Sequence, residues 1–254
     1  MKKLIQKTKK QIPFWLGKKL RSGYQKSLSI WYKGHTYQCP YCKNEFRKLL
    51  SAGEKSEVIK KYQVIGSGYR ENCSCPRCYS KGRDRLIYLY LEKETNIFKE
   101  KNRVLHIAPE ACLKELFISL PNIHYTDGVK GVRDMGYYYD RRTREVDIIE
   151  LEMEDQIYDL IICNHVLEHV YDDVKAMKEF YRVLKPGGWA ILQVPISPIL
   201  EKSYEDESIT SEKERSIHFG QYDHIRIYGQ DYFKRLESAG FQVEQFDYRK
   251  AWGE

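Results

Sequence analysis

The chain has 254 residues, 42% hydrophobic and 31% charged, which suits a globular protein with one sizeable core and room for a small accessory module. No stretch approaches 18 uncharged apolar residues, and the basic N-terminal region lacks the apolar segment and small-residue cleavage site of a secretory signal. These features exclude a membrane-spanning chain and point to a cytoplasmic protein.

The net charge of +7 is unevenly placed. Residues 1–38 carry ten Lys or Arg and no Asp or Glu, so the remainder is slightly acidic. Residues 1–34 read as a basic leader. Phe14, Trp15 and Leu16 among the lysines tilt the expectation towards an anionic membrane surface touched through residues 1–38, peripheral at the inner face. A solvated tail weighs about equally, and nucleic acid less.

Residues 35–81 hold five of the seven cysteines, as Cys39-Pro-Tyr-Cys42 and Cys73-Ser-Cys75-Pro-Arg-Cys78. Each C-P-x-C turn puts two thiolates on one tight loop, and two such turns supply the four sulfurs of a tetrahedral Zn²⁺ site. The predicted ligands are Cys39, Cys42, Cys75 and Cys78, with Cys73 a spare. Four protein ligands leave no open position, so the metal is expected to be structural. A reducing cytoplasm argues against disulfides. Cys112 and Cys163 read as buried thiols.

Residues 82–102 form a predicted linker, helical over 82–94. From 103 to 254 the pattern alternates. Strands are predicted at 103–108, at 122–126 ending on Asp127-Gly128, and at 145–149, 158–163, 189–194 and 241–246. Helices are predicted at 110–119, at 172–184 stopping on Pro186-Gly187-Gly188, and at 230–239 closed by Gly240. Residues 197–227 show no clear periodicity. The alternation implies an α/β domain, a doubly wound and mainly parallel sheet, carrying the small zinc ribbon on its N-terminal side.

Three segments in this order carry a resemblance: VLHIAPE at 104–110, DLIICNHVLEHV at 159–170 and RVLKPGG at 182–188. The chain resembles class I S-adenosylmethionine-dependent methyltransferases of the Rossmann-like fold, in the branch with LEHV after strand four and LKPGG before strand five. The likeness covers about 103–247 and is most specific over 159–195. It implies S-adenosylmethionine as cofactor. The chain departs from the usual pattern at its first loop, where His106 and Ala108-Pro109-Glu110 replace an acidic residue and a G-x-G.

Ligands of such sheets sit beyond the carboxyl ends of the strands. Ala108 is small enough for close approach, and Glu110 is placed to receive the cofactor's ammonium group. Asp127, 21 residues after His106, is the candidate for the ribose hydroxyls, against the alternative of a solvent-facing Asp-Gly turn. The resemblance puts the adenine at Asp147 and Ile148, with Glu150, Glu152 and Glu154 as rival carboxylates, and puts Asn164 and His165 at the sulfonium. His165 is a candidate general base, while His169 reads as a packing residue. His224 with Asp223 is a second candidate pair in the long polar segment, and Arg226 a candidate for an anionic acceptor group.

The leading expectation is methyl transfer to an oxygen or nitrogen of a small-molecule, glycan or lipid-linked acceptor. RNA or protein methylation guided by the ribbon and a non-catalytic, cofactor-binding scaffold are the alternatives. The family's seventh strand has too few residues here, so an incomplete sheet edge is expected, either native or completed by another subunit.

Overall fold

The computed structural model describes residues 14–132, 139 and 142–253. The first thirteen residues of the basic leader, on which part of the membrane-contact expectation rests, lie outside them. Among the described residues no helix is long and apolar enough to cross a membrane.

The rest of the leader forms α1 (Phe14–Trp31), which buries none of its side chains. Trp15, Leu20, Tyr24, Ile30 and Trp31 are all exposed, and Lys18 pairs with Glu115 at 2.9 Å. Two small antiparallel pairs follow, β1 (Lys33–Gln38) with β2 (Glu45–Phe46), and β3 (Leu50–Ala52) with β4 (Arg70–Ser74). Helix α2 (Glu57–Lys61) lies between β3 and β4.

Helix α3 (Gly82–Glu94) begins where the second cysteine knuckle ends. Its start is fixed by the Asp84 carboxylate, which accepts the Lys81 backbone N–H at 2.8 Å and satisfies a donor at the helix entrance. Ile87 and Leu91 are buried against the sheet, so this predicted linker is also a layer of the main core.

The sheet contains β5 (Asn102–Ile107), β6 (Ile123–Val129), β7 (Arg144–Glu145), β8 (Tyr158–Asn164) and β9 (Leu184–Gln193), in the order β7-β6-β5-β8-β9, all parallel. Helix α4 (Ala111–Ser119) joins β5 to β6, and α5 (Asp173–Val183) joins β8 to β9. Strand alternation divides the core cleanly. Val104, Leu160 and Ile162 face α3 and α4, whereas Leu105, Ile107, Ile161 and Cys163 face Met177, Phe180 and Val183 of α5. The order reverses between β5 and β8, the position where doubly wound sheets open a ligand crevice.

Several expectations change in detail. Strand β6 runs two residues past Asp127, and the third strand is the two-residue β7. The Pro186-Gly187-Gly188 turn lies within β9, where the pairing with β8 shifts register between Tyr158 and Leu160. The segment expected to lack regular structure holds β10 (Tyr204–Glu205), α6 (Glu212–His218) and β11 (Arg226–Ile227), followed by α7 (Asp231–Ser238).

Residues 241–246 form no strand. Phe241 and Val243 pack on the core, and Phe246 meets Tyr90 at 4.8 Å, so the alternating pattern reports side-chain burial rather than ladder pairing. A groove of about 1880 Å³ runs between this segment and β9, lined by Tyr90, Ala190, Leu192, Phe241 and Val243 among others. The chain closes with α8 (Tyr248–Trp252).

Candidate functional site

Cys39, Cys42, Cys75 and Cys78 come together, their Sγ atoms all within 4.8 Å of one another. Cys39 lies 3.8 Å from Cys78, and Cys42 lies 3.6 Å from Cys75. Hydrogen bonds from the other three thiols hold Cys39 below the ordinary thiol range, whereas Cys78, chiefly through Cys39 and Cys42, is pushed above it. Without a cation the quartet cannot ionise together, and a divalent ion removes that conflict. The donor set therefore fits structural zinc. Cys73 stands apart and donates to the Arg70 carbonyl at 3.4 Å.

The second site lies at the carboxyl ends of β5, β8 and β9. His106 is fully buried inside β5, with Nδ1 3.1 Å from the Tyr125 hydroxyl and Nε2 3.0 Å from Glu110 Oε2. Its place at the end of the first strand makes His106 a cofactor-binding candidate; in the structure the ring is buried and holds Glu110. Ala108 takes a left-handed conformation with φ +48°, which turns the chain from β5 into α4.

Glu110 is the hub. It receives His106, Asn164 Nδ2 reaches each of its oxygens at 3.4 Å, and Arg83 Nε from α3 lies 3.7 Å away. Burial pushes the Glu110 carboxyl up, but His106 and Arg83 outweigh burial and hold it below the usual glutamate range. Buried polar atoms here lack hydrogen bonds among the described residues: Arg83 Nε and Asp84 Oδ1, which form an ion pair at 3.4 Å, Asn164 Oδ1, and Gln193 Oε1 on the neighbouring strand. Native interiors rarely leave such atoms unpaired, and a bound polar group or an ordered water would satisfy them. Sequence reasoning passed over Arg83; the only signal was its place in a basic run at the entrance of a helix.

The remaining candidates are placed as follows. Asp127 pairs with His106 across β5–β6, and its Oδ2 is held by Lys114 at 2.7 Å and Thr143 at 2.8 Å. It is buried, so the solvent-facing alternative does not describe it. Asp147 is partly exposed and paired with Lys130 at 2.7 Å, and the Ile148 side chain sits in the core. His165 adopts φ +54°, its N–H donates to the Gln193 carbonyl, and its ring lines the rim of the groove beside β9.

Two expectations in the long polar segment are corrected. Asp223 does not orient His224; its backbone oxygen accepts from His169 Nδ1 at 3.0 Å, and its carboxylate lies 3.6 Å from the same ring. Arg226 cannot hold an acceptor group. It is 5% exposed, and its guanidinium is saturated by Glu205 at 2.7 Å and by the carbonyls of Leu167, Val170 and Tyr171.

The site also contains a carboxylate that the sequence shows only as lying between His165 and His169. Glu168, on the 3₁₀ turn Leu167–His169, is buried at 1% exposure with His165, His169 and His224 around it. Burial pushes its carboxyl up, and His165 above all holds it below the ordinary value.

The architecture is thus a Rossmann-like, doubly wound parallel sheet with flanking helices and a four-cysteine cluster. Residues 127–192 match the sequence family described as a methyltransferase domain. A protein of Mycolicibacterium smegmatis described as "Probable S-adenosylmethionine-dependent methyltransferase" is 27% identical over 101 residues, 40% of this chain and 35% of that protein. The ubiquinone/menaquinone biosynthesis C-methyltransferase UbiE of Idiomarina loihiensis is 34% identical over 77 residues, 29% of this chain and 31% of that one. The chain thus spans about a third of the length of these curated relatives. Among solved structures, the [4+2]-cyclase SpnF shares the fold with a TM-score of 0.51 at 17% identity, covering 77% of this chain and 78% of that one.

Proposed function

We propose that this chain is an S-adenosylmethionine-dependent methyltransferase acting on an oxygen or nitrogen of a small-molecule, glycan or lipid-linked acceptor. The observation that carries the reading is the convergence of Asn164 and Arg83 on Glu110 at the strand ends, with buried polar atoms of both left without hydrogen bonds. An amino acid has the complementary groups. Glu110 and Asn164 Oδ1 suit an ammonium, and Arg83 a carboxylate. The methyltransferase-domain match over 127–192 and the two partial relatives support the same chemistry.

When bound there, S-adenosylmethionine supplies a methyl group made electrophilic by its sulfonium. The protein's part is chiefly to orient and to exclude water. Asp127 is assigned to the ribose, sharing its carboxylate with Lys114, and Asp147 with the Ile148 backbone to the adenine. His165 stands at the rim where an acceptor enters, and Glu168 at 3.4 Å steadies its ring for taking the proton from an O–H or N–H acceptor. The basic leader with its exposed Trp15, Trp31 and Ile30 is assigned to an anionic membrane surface, where a lipid-linked acceptor would be met.

Calorimetric titration of the full chain with S-adenosylhomocysteine tests the reading. Binding in the micromolar range is expected, weakened roughly tenfold or more in Glu110→Gln, because a charge-assisted contact contributes about 1.5–3 kcal/mol. Absence of binding at millimolar ligand, with the wild-type chain folded by circular dichroism, overturns it.

A further inference from the structure

The environment of Glu168 does not balance as it stands. Both of its carboxylate oxygens are buried without a hydrogen bond among the described residues. Yet three imidazoles approach Oε1: His165 Nδ1 at 3.4 Å, His224 Nε2 at 3.9 Å and His169 Nε2 at 4.0 Å. The last two distances are too long for hydrogen bonds. Native proteins seldom bury a carboxylate in this way without a partner.

The tautomer of His169 sharpens the point. Its Nδ1 lies 3.0 Å from the Asp223 backbone oxygen, which can only accept, so Nδ1 carries the hydrogen. In the neutral ring Nε2 is then a lone pair directed towards a carboxylate. His224 is buried as well, and its Nε2 faces the same carboxylate oxygen. The two rings meet edge to face with centroids 4.8 Å apart. A carboxylate and two imidazole nitrogens converging on one small volume require a proton or a metal cation among them.

We propose that Glu168, His169 and His224 bind a first-row divalent cation, separate from the four-cysteine site. One ligand atom from each lies within 4.8 Å of the other two. Some point then lies within about 2.8 Å of all three atoms, and side-chain movements of about half an ångström reach the ~2.0–2.2 Å bonds of zinc to imidazole and carboxylate. Two imidazoles and a carboxylate suit zinc, cobalt or iron(II) rather than calcium or magnesium. The Asp223 carbonyl at His169 Nδ1 is the second contact that orients a metal-binding histidine. The ion would pin the turn after β8 to the segment before β11, which already touch through the Ile225 N–H and the Glu168 carbonyl at 3.1 Å.

Cobalt titration of the full chain with zinc on its cysteines tests this. One equivalent of Co²⁺ is expected to bind with visible d–d bands and no thiolate-to-cobalt charge transfer. His169→Asn, a change at a partly exposed ring, and Glu168→Gln should each weaken it at least tenfold while circular dichroism stays unchanged. Bands that survive undiminished in folded His169→Asn and His224→Asn variants overturn the assignment. So does a spectrum of hydrated cobalt alone, or one in which cobalt enters only the sulfur site.

Discussion

Arg226 and Tyr228 illustrate what a single polar side chain does once buried. Arg226 divides its donors between Glu205 and three backbone carbonyls, and the Tyr228 hydroxyl donates to Asp173 at 2.7 Å beneath it. Replacing Arg226 by Met leaves those acceptors without partners, and a loss of about 3–5 kcal/mol is expected in urea unfolding. Tyr228→Phe removes one donor and keeps the ring, for an expected loss of about 1–2 kcal/mol. Losses near zero for both would show the network to be dispensable. The sequence presents Arg226 as a charge in a polar stretch and says nothing of its exposure, which is why it read as a ligand-holding residue. Glu110 and Asn164 were legible because they sit where strands end, and strand ends are where such sheets bind. Glu168 was legible only as a carboxylate between two histidines, because the chain that buries it, with His224, returns more than fifty residues later.

Among the elements, the cysteine knuckles and the strongly apolar strands were the readable parts. Two C-P-x-C turns define their own geometry locally, so the ligand set follows from spacing. The choice between Cys73 and Cys75 is now sharp. Cys75→Ser should lower the zinc content by one equivalent, measured by atomic emission, and lower the melting temperature, whereas Cys73→Ser should keep its metal. Equal metal loss in both would contradict the ligand set. Residues 241–246 were misread because alternation reflects which side chains find an apolar surface, and Phe241, Val243 and Phe246 find one without joining β9. Because 241–246 forms no strand, the five-stranded sheet ends at β9 among the described residues, and the groove lies beside that edge. Phe241, edge-on to Tyr181 at 5.4 Å, contributes to holding this segment, and Phe241→Ala should cost about 1–3 kcal/mol in the same urea assay.

At the scale of the molecule, α3 belongs to two structures at once. Its first turn completes the cysteine module, and Ile87 and Leu91 fill the sheet's core two turns later. Arg83, at the same end, reaches the Glu110 cluster. Stripping the metal from the cysteines should therefore weaken S-adenosylhomocysteine binding as Arg83→Ala does, by roughly tenfold in the calorimetric titration. Unchanged affinity after metal loss would mean the two ends of α3 are independent.

Arg85 donates to the carbonyls of Ser80 at 2.6 Å and Cys73 at 3.2 Å, so the joint between knuckle and helix is clamped rather than hinged. Swinging the module about this joint would tear both bonds. It cannot work as an arm that collects a cargo and carries it inward. Whatever is to be modified must travel to a stationary mouth, and selection among candidates falls to the shape and charge of that rim.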